Sequence, residues 1–396
     1  MVRYPLNGRP TAFFRGDWFV GKGVACAKLR LGPGKKDVAE VFCTHLHAPY
    51  EREPNDSYIC HRTAQAWEIA KLMRGAAERG HVVIGLGDFN MVPLSLAHRI
   101  IESRAPVRDV WRVVWPESSV GAWENPLERA RGTECPSAEV NLERNGATCD
   151  SVLNTWRWNK NEQKMLDKGR EKVVKMNAPD ERAKRLDYIF LGGGEGEGAR
   201  GWRVEEVRVG MTQRHPELKC SLSDHFAVEA VVSCLPTSSP DTTSSISANS
   251  DSSYPIHPQT AHLSPAIFDQ ITTMIHTYTA RERRQRRLRL SHFLGQLALS
   301  IGCLIGIWWS NHNYVSFILL FVSTLGLSAG VIDGLIGGLF VGSELRALKE
   351  FEWEIENARA TAEREGGTED GEAWREGVMG KVDAERRDVE DEGLGR

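Results

Sequence analysis

At 396 residues, with a formal net charge of −3 and eight cysteines, the chain is long enough for one large domain with extras or for two domains. The charge balance supplies no strong basic groove of the kind a nucleic-acid enzyme needs, and the cysteines show no paired metal-ligand spacing. No secretory signal opens the sequence, which predicts reduced thiols and a cytosolic folded part.

Composition divides the chain. Residues 1–234 have a globular mix and form the candidate catalytic domain. Residues 235–264 are rich in Ser, Thr and Pro and read as a linker. Residues 265–290 form a basic amphipathic segment, residues 291–342 hold two long apolar runs, and residues 343–396 form a charged tail.

In chain order, residues 18–31 read as a strand, with Val24, Cys26 and Leu29 as buried candidates. Gly16 to Lys22 matches the opening of a phosphate-cradling G-x-x-x-x-G-K loop. Gly23 stands where a Mg2+-binding hydroxyl is needed, and a strand follows in place of a helix, so a nucleotide loop is excluded. Residues 38–47 form a second strand that would place His45 and His47 on one face at its end. Residues 62–75 have helical apolar spacing, with Ala66, Ile69, Ala70 and Met73 inward.

Residues 81–90 then run from an apolar strand, Val82-Val83-Ile84, into Asp88 and Asn90. If strand pairing continues, both polar groups project to one side; an Asx turn is the alternative. Gly85 and Gly87 would let other backbone approach closely. Strand, helix and strand in succession suggest α/β layering.

Residues 110–180 carry Trp111, Trp115, Trp123, Trp156 and Trp158 in a polar, loop-like stretch. These suit either a sugar- or lipid-facing surface or the pinning of long loops to a core. Strands return at residues 185–191, 202–209 and 225–232. Asp187, an acid inside a strand, needs a partner, and a histidine is its natural one.

With these pieces assembled, the chain resembles the endonuclease/exonuclease/phosphatase superfamily, through Thr44-His45, Gly87-Asp88-Phe89-Asn90, Leu186-Asp187-Tyr188-Ile189 and Ser223-Asp224-His225 in that order. Within it, the chain is similar to the neutral sphingomyelinases and most of all to the fungal inositol phosphosphingolipid phospholipases C. That closer similarity rests on Arg15-Gly16-Asp17-Trp18-Phe19-Val20-Gly21-Lys22-Gly23-Val24 and on Thr44-His45-Leu46-His47-Ala48-Pro49-Tyr50. The resemblance covers roughly residues 4–342.

It implies a DNase I-like four-layer α/β sandwich, with its leading strands missing, followed by a two-helix transmembrane hairpin. It also implies roles. His225 is the acid/base histidine, oriented by Asp187, and Asp224 helps hold the metal. Asp88 and Asn90 position or activate the attacking water and bind phosphate. His45 contacts the phosphate and is a second acid/base group. Asp17 and Lys22 form a regulatory acid–lysine pair in a glycine-flanked loop.

The implied function is a Mg2+-dependent sphingolipid phosphodiesterase of the phospholipase C type. It would release ceramide and a phospho-headgroup from sphingomyelin or inositol phosphosphingolipids. The family's domain opens with a segment bearing an Asn and a Glu, the Glu being the principal Mg2+ ligand, and this sequence starts after both. The expectation is therefore feeble or no hydrolysis by the chain as written, with an inactive membrane scaffold or lipid sensor as an alternative. A nuclease or inositol-polyphosphate phosphatase of the same fold is the rival enzyme; the apolar hairpin favours a lipid over nucleic acid.

Residues 291–310 are free of full charges and long enough to span a bilayer, and residues 314–342 carry one charge, Asp333. Asn311-His312-Asn313 leaves room only for a tight turn. Arg281, Arg283, Arg284, Arg286, Arg287 and Arg289 put the catalytic domain and both termini on the cytosolic side of an endomembrane, such as the endoplasmic reticulum or the mitochondrial surface. Ile267, Phe268, Ile271, Met274, Ile275 and Tyr278 recur at helical spacing, which suggests a helix lying on anionic phospholipids; a solvated basic flank is the alternative. Gly326, Gly330, Gly334, Gly338 and Gly342 line one helical stripe, matched by Ala298, Gly302 and Gly306 in the first span. The stripes would pack a close hairpin or the seam of a self-associated dimer.

Overall fold

The computed structural model describes residues 1–12, 18, 20–51, 55–170, 172–193, 201–235, 254–256 and 263–364. Six strands form one mixed sheet: β1 (Val2–Arg3), β2 (Gly23–Arg30), β3 (Val38–His45), β4 (Val82–Asp88), β5 (Arg108–Asp109) and β6 (Asp187–Gly192). Their order is β1-β2-β3-β4-β6-β5. β3 and β4 are parallel, which requires a crossover, and helix α1 (Ile59–Glu78) supplies it. α1 buries Ala66, Ile69, Ala70, Met73, Ala76 and Ala77 on the sheet. The contact is close enough that a Cβ at Gly85 would lie 2.7 Å from Met73 Sδ. Helix α2 (Leu96–Arg104) packs beside α1.

Three more strands, β7 (Trp202–Gly210), β8 (Ala227–Cys234) and β9 (Tyr254–Ile256), form a second sheet in the order β8-β7-β9. Ala39, Val82, Val110, Leu191 and Val204 close the core between the two sheets. Helices, sheet and sheet stack as the α/β sandwich that the resemblance implies. The outer face of the second sheet keeps Glu205, Glu206, Arg208 and Val231 exposed. On β2, Val24 is buried as expected, but Cys26 and Leu29 are exposed. Among the described residues β1 pairs with Gly23 and Val24, and beyond them neither face of β2 is covered.

Between the sheets' strands, the 110–180 stretch pins some of its tryptophans to the core and leaves others exposed. Trp111 is fully buried and donates from Nε1 to Arg144 O at 2.8 Å; Trp158 donates to Val152 O at 2.8 Å. Trp115 and Trp156 stay exposed.

After β9 comes α3 (Pro265–Trp308), one unbroken helix of 44 residues, about 66 Å long at 1.5 Å per residue. Its first half buries its apolar stripe in protein. Phe268, Ile271, Ile275 and Tyr278 are buried among Trp67, Leu96 and Ile100 of α1 and α2 and Leu348, Phe351 and Ile355 of helix α5 (Val341–Arg364). An apolar helical stripe needs cover, and here protein supplies it, which corrects the expected interfacial helix. α5 runs to Arg364 as part of the charged tail; the rest of that tail and most of the 235–264 linker lie outside the described residues.

The second half of α3 pairs with α4 (Asn313–Leu335) after a tight turn. Both helices are long and apolar enough to cross a membrane, and only 11% of each apolar window is buried inside the protein. The seam runs through Phe293, Gln296 and Ser300 of α3, with Ser300 Oγ 2.7 Å from Ser323 Oγ. Gly326, Gly330 and Gly334 face this seam as expected. Gly338 only grazes Leu290, and Gly342 meets nothing within 4 Å. The cause is a π-helical turn, Ile336–Phe340, whose extra residue rotates the face and brings Gly337 against Arg289 instead. Ala298 and Gly302 of the first span point outward, away from the seam. Asp333 is paired with Arg289 and with His292 Nδ1 at 2.8 Å.

Candidate active site

β3 ends at His45, β4 ends at Asp88 and β6 begins at Asp187, and the three meet on one rung of the sheet. His45 pairs in register with Asp88, and Asp88 with Asp187. His45 Nε2 lies 3.3 Å from Asp88 Oδ2, and His225 Nδ1 lies 2.8 Å from Asp187 Oδ2. The order across the site is therefore His45, Asp88, Asp187, His225. The strand ends explain why motifs far apart in the chain converge: His45, Asp88 and Asp187 are each the last or first residue of a strand at one end of the sheet, and His225 joins them from the loop before β8.

Asn90 does not continue the strand. It sits at φ +46°, its N–H donates to Asp88 Oδ1 at 2.8 Å, and its side-chain amide donates to Leu46 O and Asp88 Oδ2, both at 3.1 Å. The Asx turn thus holds, and the amide orients the carboxylate from behind. Gly87 is required here: at φ +132°, a Cβ would fall 1.9 Å from Thr44 O.

Burial pushes the Asp88 carboxyl up to about 6, with the charge of Asp187 opposite adding to the effect. Burial alone would lower the His225 ring, but hydrogen bonds to Asp187 and the Cys149 thiol, with the Asp187 charge, outweigh it and hold the ring up at about 11. Donor atoms of Asp88, Asp187 and His225 lie within 4.8 Å of one another. Two carboxylates facing each other are a hard-oxygen donor set of the kind divalent cations take, and a bound cation would relieve their repulsion.

The other expected residues are placed less centrally. Asp224 is exposed on the loop beside His225, outside that three-residue group, with Ser223 Oγ 3.2 Å from its Oδ1. Lys22 is buried, and its charge draws the Asp88 carboxyl downward against the larger effects. Asp17 lies outside the described residues. His47, expected to share a face with His45, instead turns into the protein: it is 1% exposed and stacks on Tyr58 at 3.9 Å. β3 stops at His45, so strand alternation no longer applies two residues on.

Sequence reading missed Cys149 and the turn after it. Cys149 pairs across isolated bridges with both Lys184 and His225, and Phe226 N donates to Thr148 O at 2.8 Å. Of residues 154–156 only Trp156 stands out in the sequence, as one of several tryptophans, and the partners of this turn are far away in sequence.

The inositol phosphosphingolipids phospholipase C of Schizosaccharomyces pombe is 39% identical over 360 residues, spanning 91% of this chain and 74% of that protein. The chain belongs to the inositol phosphosphingolipid phospholipase C family. The Saccharomyces cerevisiae relative of the same name is 32% identical over 369 residues, spanning 90% of this chain and 67% of that protein. No protein-family model matches the chain. Among solved structures, an endonuclease/exonuclease/phosphatase family protein from Bacteroides thetaiotaomicron overlays with a TM-score of 0.30 at 13% identity, over 54% of this chain and 56% of that one.

Proposed function

We propose that this family member is a Mg2+-dependent phospholipase C that cleaves the phosphodiester of an inositol phosphosphingolipid or sphingomyelin at a membrane surface. The observation that carries the reading is the His45–Asp88–Asp187–His225 row on one rung of the sheet. It supplies, at one end of the sheet, what a phosphodiester hydrolysis needs: anchored carboxylates and two imidazoles.

Asp88 and Asp187 would hold the cation, with Asp224 adding a carboxylate from the neighbouring loop. When bound, Mg2+ neutralises phosphate charge and polarises the phosphoryl oxygen. Asp88 Oδ2 takes a proton from the attacking water, oriented by the Asn90 amide. Because His225 Nδ1 is tied to Asp187, Nε2 faces the substrate and gives its proton to the ceramide oxygen as the P–O bond breaks. His45 Nε2 binds the phosphate. The products are ceramide and the headgroup phosphate. Lys22, near Asp88, and Asp17 form the regulatory pair.

The apolar parts of α3 and α4 cross the bilayer as a hairpin, with the catalytic domain at the cytosolic face of an endomembrane. The test is ceramide release by the protein, expressed from its gene and purified in detergent, from mixed micelles of each lipid. Release that needs Mg2+ and stops with EDTA is expected; none from either lipid, or release unaffected by EDTA, would refute the reading.

A further inference from the structure

His225 lies on the segment 221–225, outside the strands, and a turn nearly seventy residues earlier holds it. Asn154 Nδ2 donates to Ser223 O and to Asp224 O, each at 3.0 Å. Ser221 and Thr155 exchange two bonds: Ser221 N donates to Thr155 Oγ1 at 2.8 Å, and Thr155 N donates to Ser221 Oγ at 3.0 Å. Trp156 Nε1 donates to Ser221 O at 3.1 Å. Asn154, Thr155 and Ser221 are 1%, 2% and 2% exposed, so water does not share this work.

The choice of residue at 154 is narrow. Its Oδ1 accepts from Trp156 N at 3.0 Å, which fixes the orientation of the amide and leaves both N–H groups for the two carbonyls. A carboxylate would keep the first bond and set a charge against both carbonyl oxygens. A hydroxyl has one donor and cannot reach both.

We propose that Asn154 is a positioning residue for the phosphodiesterase reaction. By pinning the peptides on either side of Asp224, it sets the reach of His225 to Asp187 and to the substrate. This rests on the function proposed above.

The test uses the enzyme expressed from its gene, with Asn154→Asp, Thr155→Val and, as a control, Ser151→Ala. Ser151 belongs to the same stretch but bonds Asp180 (2.8 Å) and not the 221–225 segment. For Asn154→Asp, kcat should fall by on the order of 100-fold with KM unchanged. Amides of 223–226 should exchange hydrogen faster. Thr155→Val should do the same more weakly. Ser151→Ala should lower the melting temperature and leave kcat per folded molecule as in wild type.

Wild-type kcat in a folded Asn154→Asp overturns the proposal, and so does a loss of kcat that Ser151→Ala reproduces. If Asn154→Asp does not fold, Thr155→Val decides by the same measures. A wild-type enzyme that releases no ceramide refutes the phosphodiesterase reading instead. Exchange at 223–226 then still judges the clamp, unchanged exchange in Asn154→Asp overturning it.

Discussion

Asp88 and Asp187 stand directly opposite each other where β4 pairs with β6, so the sheet itself presses two carboxylates together. Like charges in that relation destabilise a sheet. The fold tolerates the pair because His225 takes one carboxylate and Asn90 braces the other.

The first prediction concerns the cost of this pair. The folded-state pKa of Asp88 is raised, to about 6. Its protonated form is therefore favoured by folding, and stability present at low pH is lost as pH rises through that value. In metal-free protein at pH 7.5, Asp88→Asn should raise stability by on the order of 2 kcal/mol, and at pH 4 it should change little. The same variant should have no turnover. Mg2+ should raise the melting temperature of wild type more at pH 7.5 than at pH 5. Calorimetry across pH, with and without Mg2+, measures both; a destabilised Asp88→Asn at pH 7.5 would contradict the argument.

A second prediction concerns the joint between the catalytic domain and the long helices. His61 Nε2 and Tyr278 OH both reach Glu344 Oε1, at 2.8 and 2.6 Å, in a fully buried cluster. Glu282 beside it is 0% exposed, and neither of its carboxyl oxygens has a hydrogen-bond partner among the described residues. Burial and then Glu344 push Glu282 up to about 7, against the pull of Arg9, Arg281 and Arg289. Burial likewise pushes Glu344 up to about 8 and the His61 ring down to about 3. Both acids carry raised values, so the docking they contribute is full at low pH and fades as pH rises through 7 to 8. His61 is neutral over that range and does not oppose this. Glu282→Gln should reduce the loss of docking between pH 6.5 and 8.5, leaving only the part due to Glu344, while wild type opens further. Hydrogen exchange in α1 and α5 follows the change; equal pH sensitivity in the two proteins would exclude Glu282 as its source.

What could be read from the residues and what could not divides along physical lines. His45, Asp88 and Asp187 were legible because each lies at the end of a locally recognisable strand, and alternation with β propensity is a local signal; His225, on the loop before β8, was legible through the Ser223-Asp224-His225 motif. His47 was misplaced because alternation says nothing once pairing stops. The face of Ile271, Ile275 and Tyr278 was seen as apolar, but a helical period does not say whether lipid or protein covers it. The clamp at Asn154 depends on contacts nearly seventy residues apart in sequence, which no local pattern encodes.

The hairpin supplies a third prediction, and here the π turn reverses a simple expectation. A strict four-residue repeat would put Gly342 on the seam and Gly337 off it. Instead, a Cβ at Gly330 would lie 2.7 Å from Gln296 Cβ and one at Gly337 would lie 3.0 Å from Arg289 Cβ, whereas Gly342 has open space. Gly330→Leu and Gly337→Leu should splay the helices and strain the Arg289–Asp333 pair; Gly342→Leu should be silent. Disulfide crosslinking between Ser300→Cys and Ser323→Cys, positions now hydrogen-bonded at 2.7 Å, reports closeness in bilayers. Crosslinking lost with Gly342→Leu but kept with Gly337→Leu would restore the unbroken stripe.

The last prediction separates two jobs of Trp156. Its ring is 58% exposed, while its Nε1 is tied to Ser221 O in the clamp below His225. A large apolar surface tied to the segment that carries the proposed acid/base residue suits contact with the ceramide part of a substrate at the membrane. Trp156→Phe keeps an aromatic face and removes only the indole donor; Trp156→Ala removes both. Against mixed micelles, Trp156→Phe should lower kcat modestly and leave KM near wild type. Trp156→Ala should raise KM by about tenfold, the loss of roughly 1.4 kcal/mol of apolar contact. His225→Ala, by contrast, should abolish turnover and leave micelle binding intact, since the role proposed for its ring is to move a proton and not to hold lipid. A Trp156→Ala enzyme with wild-type KM but crippled kcat would assign the tryptophan to the clamp alone and leave the lipid contact to other residues.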